Sequence, residues 1–216
     1  MSRVLTSRYT AVMDEIDRIV GEWNRERPDL DVSPTHTLQR ITRLGLLQGV
    51  SFARVFAPYG VSFGEYLVLA ALRRAGPPYR MNPTRLFNSV ILSSGAMTNR
   101  LDRLEEMGLV ERQADPRDRR GRLVALTDRG RELVDAAVVD HLANEERLLG
   151  ALDPDEREQL AGLLRRLLMS PPFRELDPTA DGLDKQPGSV PRGRDDGGLK
   201  RRRANSAVRR LAIRDS

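Results

Sequence analysis

The order of four short elements between residues 82 and 127 is the strongest constraint on how this chain can fold. A short helix is predicted over 83–89, because an asparagine followed by proline is typical of a helix start. A second helix is predicted over 94–107. Two short strands, 109–113 and 122–126, then flank a loop too charged to belong to a core. A helix, a turn, a second helix and a two-stranded hairpin form the outline of a winged helix-turn-helix.

Helical periodicity surrounds this unit on both sides. Apolar residues from Tyr9 to Trp23 recur at spacings of three and one, which predicts one apolar helix face, and Arg27-Pro28 ends that helix. Cap and proline signals predict four further helices: Ser33 to about Pro58, Ser62 to Ala75, Thr127 to about Ala151, and Asp153 to about 170. The fold class is therefore mainly α with a small β-hairpin wing.

The composition changes near residue 170. Residues 171–216 are rich in proline, glycine and charge, and show no sustained apolar period, so they are predicted to form a disordered basic tail. The runs Lys200-Arg201-Arg202-Arg203 and Arg209-Arg210 would attract nucleic acid without sequence preference. A solvated extension with no dedicated role is the alternative.

The positive charge is distributed unevenly. The whole chain has 36 Lys+Arg and 31 Asp+Glu, a net charge of +5. Residues 73–131 hold 13 basic and 7 acidic residues, a net of +6, whereas residues 132–170 hold 4 and 9, a net of −5. A polyanionic partner is therefore expected to meet the helix-turn-helix and hairpin rather than the C-terminal helices.

Several classes of function are excluded by what the sequence lacks. Without cysteine there are no disulfides, thiolate metal sites or cysteine nucleophiles. His36 and His141 have no ligand spacing, and there is no glycine-rich phosphate loop or GxSxG motif. We therefore predict no enzyme, no catalytic residues, no metal and no cofactor. No apolar run suits a membrane span or a secretory signal, so a cytoplasmic protein without a membrane partner is expected.

The motifs of the central unit resemble the MarR family of bacterial transcription regulators. The resemblance is carried by Asn82-Pro83-Thr84-Arg85-Leu86, by the run from Ser93 to Glu105, by Gly108-Leu109-Val110-Glu111-Arg112, and by Asp115-Pro116-Arg117-Asp118-Arg119-Arg120-Gly121. It implies a homodimeric winged-helix protein that binds operator DNA and is often released by small ligands. It also implies four regions: dimerisation helices with a possible ligand pocket at 1–60, the DNA-binding region at 61–127, dimerisation helices at 128–170, and the tail.

The resemblance places the DNA contacts on the second helix of the motif and on the wing. Short polar or small residues at the start of that helix suit close approach to base edges in the major groove. Wing arginines suit a narrow minor groove, with Arg119 the favoured probe. A solvated surface helix, and a loop held by an Asp118–arginine pair, are the alternatives. The predicted DNA-binding residues are Ser93, Ser94, Gly95, Thr98, Asn99, Arg103, Arg117, Arg119 and Arg120.

A ligand pocket is implied by resemblance to the urate-responsive branch of the family. Trp23, Arg74 and Arg100 match the tryptophan and two arginines of that branch, which bind an anionic heterocycle, whereas Leu67 stands where the branch has aspartate. The departure favours another anion over urate. Core or dimer packing for Trp23, and a phosphate contact or ion pair for Arg100, remain open.

The sequence thus predicts a ligand-responsive transcriptional repressor that binds a pseudo-palindromic double-stranded operator as a homodimer. Its effector is expected to be a small molecule, with an anion as the candidate, and the protein is expected at the bacterial nucleoid when bound to DNA. The alternative is a helical dimeric scaffold whose basic tail binds nucleic acid.

Overall fold

The computed structural model describes residues 13–90, 97–116 and 118–176, which belong to one compact unit; for Arg119 and Arg120 it describes the backbone alone. The helices and strands follow in this order: α1 (Glu15–Glu26), α2 (Ser33–Phe56), a 3-10 turn (Ala57–Tyr59), α3 (Phe63–Arg74), β1 (Arg80–Met81), α4 (Pro83–Asn88), α5 (Met97–Glu106), β2 (Val110–Asp115), β3 (Asp118–Leu126), α6 (Asp128–Leu148), α7 (Pro154–Leu168) and α8 (Pro171–Arg174).

The first helix begins later than its apolar period predicts. Asp14 caps α1, since its carboxylate accepts the backbone N–H of Asp17 at 3.0 Å while the Asp17 carboxylate accepts that of Asp14 at 3.1 Å. Met13 therefore lies outside the helix, and a start near Tyr9 is wrong for this part; Tyr9 itself lies outside the described residues. Helix α2 begins at Ser33, and Val32 rather than Ser33 occupies its cap position.

Four predicted helix starts are confirmed. Ser62 and Glu65 form a capping box at the predicted start of α3, and the side chains of Asn82, Thr127 and Asp153 cap α4, α6 and α7. The predicted end of α6 near Ala151 is wrong by three residues, because the helix ends at Leu148 and a turn follows.

The core surrounds α3. Val68, Leu69 and Leu72 are completely buried and Ala71 nearly so, which places apolar residues around most of that helix. Such a helix has to be enclosed by other elements. Helices α2, α5 and α6 and strand β3 pack around it.

Aromatic side chains join α2, α3 and α6. Phe56 of α2 stacks on Tyr66 of α3 with ring centroids 4.3 Å apart, and Phe52 lies 4.4 Å from Phe63. His141 of α6 meets Phe52 and Tyr66 edge to face, at 4.9 and 5.2 Å. These contacts fix the start of the DNA-binding region to the long helix that follows the hairpin.

The sheet is larger than the predicted hairpin. Its order is β1-β3-β2, all antiparallel, with Met81 opposite Val124 and Arg112 also opposite Val124 on the other side. The predicted polar loop over 114–121 is wrong for most of its length, because β2 continues to Asp115 and β3 begins at Asp118. An irregularity between Ala114 and Asp115 shifts the register there.

The hairpin and α6 meet without space for a side chain at Gly130. A Cβ at this glycine would lie 1.9 Å from the carbonyl oxygen of Leu109. Thr127 reinforces the junction, since its backbone N–H donates to the Leu109 carbonyl at 3.2 Å and its hydroxyl to the Gly108 carbonyl at 2.8 Å. The base of the wing is therefore fixed directly to the first turn of α6.

The C-terminal part is helical slightly beyond the predicted boundary. Pro171–Arg174 forms α8, so the prediction of disorder from residue 171 is wrong for this turn, which begins after Ser170 with proline at its first position. The basic runs at 200–203 and 209–210 lie outside the described residues.

Within the described residues, no single helix is long and apolar enough to span a membrane. The segments Ser33–Tyr59 and Phe63–Arg74 have sufficient length and apolar character only together, and they are bent by 72° relative to each other.

Candidate nucleic-acid interface

Helix α5 presents a polar face to solvent because its apolar residues point into the core. Met97, Leu101 and Leu104 are 7%, 6% and 0% exposed. Thr98 and Asn99 lie on the remaining face and are exposed. Their short side chains offer a hydroxyl and an amide, which can pair with base edges or phosphates.

The other predicted contacts are described only in part. Ser93, Ser94, Gly95 and Arg117 lie outside the described residues. Arg119 and Arg120 belong to β3 by their backbone, so both lie in the strand rather than in a loop.

Arg103 contacts protein groups at the start of α3. Its Nε lies 3.4 Å from the Glu65 carboxylate, and its Nη2 donates to the Gly60 carbonyl at 3.4 Å. The Arg103 side chain is 57% exposed, whereas that of Glu65 is 4% exposed. Arg103 was predicted from the sequence as a DNA contact, and these protein partners were not predicted.

Arg112 ties the hairpin to α5. Its guanidinium contacts Asp102, and it bonds the Glu105 carboxylate at 2.5 Å, while its backbone N–H donates to Glu105 at 3.2 Å. The hydrogen bond that Arg112 donates to the Asp102 carboxylate raises the pKa of Arg112 above its ordinary value. Helix α5 is therefore held by one arginine on the α3 side and by another on the wing side.

Arg122 is a candidate DNA contact that the sequence analysis missed. It lies opposite Ala114 in the hairpin, on the same face as Arg112 and Val124, which turn toward α5 and the core. Arg122 is exposed, and among the described residues no carboxylate pairs with it. Its position in a strand adjoining Arg119 and Arg120 was the available signal.

Arg85 is a second such candidate, on α4. It is exposed, as is the neighbouring Thr84, while Leu86 is completely buried. Within the described part of the chain no ion pair involves Arg85. A cation on the first helix of the motif suits the DNA backbone, which that helix crosses in helix-turn-helix proteins.

The three predicted ligand residues occupy different elements. Trp23 lies on α1 and is 50% exposed, and Arg74 lies exposed at the end of α3. The charge of Arg74 also affects a core residue. Burial raises the pKa of Tyr66, and the positive charge of Arg74 opposes part of that rise. In the described part of the chain, no hydrogen bond, ion pair or ring contact joins any two of Trp23, Arg74 and Arg100.

Arg100 is the most unusual of the three. Its guanidinium crosses Gly64 so closely that a Cβ there would lie 2.6 Å from Nε. Its Nη1 is buried and has no hydrogen-bond partner among the described residues. A buried guanidinium nitrogen without an acceptor is costly, so this atom suits an incoming anion. Leu67, where the resemblance expected aspartate, packs against the core.

The two histidines each lie beside one carboxylate and not at the residues predicted to bind DNA or ligand. His36 lies 3.5 Å from Asp17, and His141 lies 3.2 Å from Glu145. The described residues contain no group of three or more potential metal ligands.

A helix-turn-helix with an exposed polar second helix, followed by an arginine-bearing hairpin, defines a winged-helix DNA-binding protein. The sequence model of the MarR family matches residues 61–121. The transcriptional regulator PecS from Dickeya dadantii is 37% identical over 161 residues, which cover 74% of this chain and 95% of PecS. The chain belongs to the MarR family.

Solved structures agree with this assignment. A mutant of Escherichia coli MarR complexed with operator DNA matches with a TM-score of 0.55 and 26% identity, covering 68% of this chain and 97% of that one. Bordetella bronchiseptica BpsR, whose DNA binding is regulated by 6-hydroxynicotinic acid, shares the fold with a TM-score of 0.55 and 24% identity, covering 62% and 94%.

These findings confirm the predicted winged-helix fold and make the chain a DNA-binding transcriptional regulator. They also confirm that it is not an enzyme, because its relatives are regulators.

Proposed function

We propose that this regulator is a homodimeric repressor that binds a pseudo-palindromic operator and releases it when a small anionic ligand binds. The observation that carries the proposal is the two-sided character of α5. Burial of Leu101 and Leu104 turns Thr98 and Asn99 outward, so the helix can enter a major groove while remaining attached to the core.

The wing adds a second contact in this proposal. Arg119, Arg120 and Arg122 lie along β3, and Arg117 precedes that strand. Arginines placed in a narrow minor groove meet its enhanced negative potential. Together with the net charge of +6 over residues 73–131, this supports binding whose strength falls steeply with salt.

Apolar exposure supports the homodimer. No residue of α7 is buried, and its apolar residues Leu163 and Leu168 are 55% and 66% exposed. Helix α2 likewise exposes Leu44, Leu46 and Val50 by more than half. Large contiguous apolar patches mark interaction sites, and burying one such side chain contributes about 1.5–3 kcal/mol. A second copy of the chain is the proposed partner of these helices.

The proposed effector site rests on Arg100. Its buried Nη1 has no hydrogen-bond partner in the described part of the chain. Its helix also carries Thr98 and Asn99, so an anion held there would act directly on the helix that reads DNA. Arg74 and Trp23 are proposed to complete the site. Regulation of BpsR by 6-hydroxynicotinic acid supports the class of ligand, an anionic aromatic ring, without identifying it.

As a repressor, the protein would lie with the chromosome, in the cytoplasm and at the nucleoid while it is bound.

A palindromic duplex selected from random sequences by the full chain would supply the operator for a test. We expect one dimer per duplex, with half-sites about one helical turn apart.

Fluorescence anisotropy on that duplex tests the proposed contacts. Asn99→Ala and Thr98→Ala should each weaken operator binding by about tenfold while nonspecific binding stays unchanged, because they remove base contacts. Arg166→Ala, an exposed arginine on α7, is the matched control. Equal affinity of all variants would contradict the assignment of α5.

The ligand arm uses the same duplex and the single tryptophan. Aromatic carboxylates, including 6-hydroxynicotinic acid, should quench Trp23 and release the duplex, and Arg100→Gln should remove both responses. Release without any change in Trp23 emission would place the effector elsewhere.

A further inference from the structure

Glu65 combines deep burial with two separate tasks. The residue is 3% exposed, yet it carries a carboxylate on the first turn of α3. Its Oε2 accepts the backbone N–H of Ser62 at 2.6 Å, which closes the capping box. Its Oε1 faces the Nε of Arg103 at 3.4 Å. A buried carboxylate needs such partners, because an unpaired charge in the interior is strongly destabilising.

Arg103 reaches the same turn at a second point. Its Nη2 donates to the Gly60 carbonyl at 3.4 Å, just before the cap of α3. Gly60 has a φ of +70°, a left-handed conformation that glycine adopts without strain. One guanidinium thus connects α5 to both a buried side chain and a backbone carbonyl of the turn before α3.

These contacts restrain rotation of α5 about its own axis, a motion that core packing resists only weakly. Helix α5 has ten described residues and buries three of them along one stripe. Such a stripe resists separation from the core more strongly than a small rotation about the helix axis. Arg103 on one side and Arg112 on the other restrain that rotation, and Thr98 and Asn99 move with it.

We infer that Glu65 is a positioning residue for sequence-specific DNA binding, acting through Arg103 to set the orientation of α5. Arg103 then serves mainly as the link to α3 and not as a phosphate contact. Base-reading side chains have to be held to within about 0.5 Å, so the loss of one such link is sufficient to reduce specificity. The inference rests on the proposed role of α5 in reading DNA.

Lysine at position 103 separates the two roles. Arg103→Lys keeps the positive charge and can still meet a phosphate, but lysine cannot offer two nitrogens in the fixed geometry that reaches Glu65 and Gly60. If Arg103 links the helices, Arg103→Lys and Arg103→Ala should weaken operator binding by a similar factor of about ten. If it contacts phosphate, lysine should retain most of the affinity.

The experiment measures binding of the full chain to the selected operator and to a scrambled duplex at four salt concentrations. Arg103→Ala, Arg103→Lys and Glu65→Gln should each lower the ratio of specific to nonspecific affinity while leaving the slope of log affinity against log salt within about 0.3 of the wild type. The double variant Glu65→Gln with Arg103→Ala should bind no more weakly than the weaker single variant.

A fall in the salt slope of about 1 for Arg103→Ala, with wild-type affinity for Arg103→Lys, would overturn the inference. Glu65→Gln also perturbs the cap of α3, so its folding is checked by thermal unfolding; the two Arg103 variants leave the cap intact and decide the question alone. Asn99→Ala separates this outcome from failure of the proposed function, since its wild-type affinity would mean that α5 does not read DNA.

Discussion

The DNA-binding region buries its large apolar residues, whereas α7 and most of α2 leave theirs exposed. Between Val61 and Thr127, side chains such as Leu69, Leu86 and Leu104 are completely buried by neighbours in the same chain. Helix α7 and the first eighteen residues of α2 bury none. The first region obtains its core from local and intrachain contacts, whereas the second has an apolar surface that the described part of the chain leaves exposed.

This difference in burial suggests that one chain is sufficient to form the winged helix, whereas two chains are needed to read a palindromic operator. A single chain can form the winged helix and present α5. Reading a palindrome requires two such units at a fixed spacing, which the terminal helices are proposed to set. The predictions below test this separation, beginning with the largest effect.

Leu163→Asp should convert the proposed dimer to a monomer. A charge in the middle of the apolar face of α7 would be buried without a partner in the dimer, while in the monomer it would remain solvated. We expect operator affinity to fall by at least about 100-fold, because a monomer contacts one half-site. Size-exclusion chromatography with light scattering gives the mass, and Gln159→Asp, an exposed position on the same helix, should remain dimeric. A dimeric Leu163→Asp protein would contradict the assignment of α7.

Leu104→Ala should destabilise the winged helix by about 2–5 kcal/mol, since it leaves a cavity beneath α5. Urea unfolding measures this loss. The same loss is expected in the Leu163→Asp background, because the neighbours of Leu104 all belong to its own chain. A markedly smaller loss in the monomeric background would show that the core of this region depends on the partner.

Asp17→Asn should remove a small acid-dependent weakening of the contact between α1 and α2 that the wild type shows. The hydrogen bond from Arg40, 2.7 Å from Asp17, lowers the pKa of Asp17 below its ordinary value. A carboxyl with a lowered folded pKa contributes stability above its unfolded pKa and loses it as the pH falls through the folded value. We therefore expect the docking of α1 on α2 to weaken below about pH 4.

Trp23 lies on α1, so its emission between pH 6 and pH 2.5 follows this docking. Asparagine at position 17 keeps an acceptor for the Asp14 N–H and should lose the acid-dependent change. Identical titrations for the wild type and Asp17→Asn would assign the change to another group.

Local chemistry explains which parts of the fold were predictable. The caps at Ser62, Asn82, Thr127 and Asp153 were correctly predicted, because each depends on side chains within a few residues of the helix start. The start of α1 was missed because the apolar period continues through Met13, while Asp14 decides where the helix begins.

Contacts between distant segments were not predictable in the same way. Strand β1 has two residues, too few for a period, and exists because β3 pairs with it. The hairpin is longer than predicted because its charged strand residues are solvated and resemble a loop. The Glu65 partner of Arg103 lies far away in the sequence, so Arg103 was interpreted only as a DNA contact.

The absence of a side chain at Gly130 has a mechanical consequence. Because the first turn of α6 rests directly on the Leu109 carbonyl, we expect the wing and α6 to move together. In the proposed dimer, the span between the two wing tips therefore cannot be adjusted at this joint. An effector that changes the span would therefore have to rotate the wing and α6 together relative to α2 and α3. The aromatic contacts around His141 lie where α6 meets those two helices.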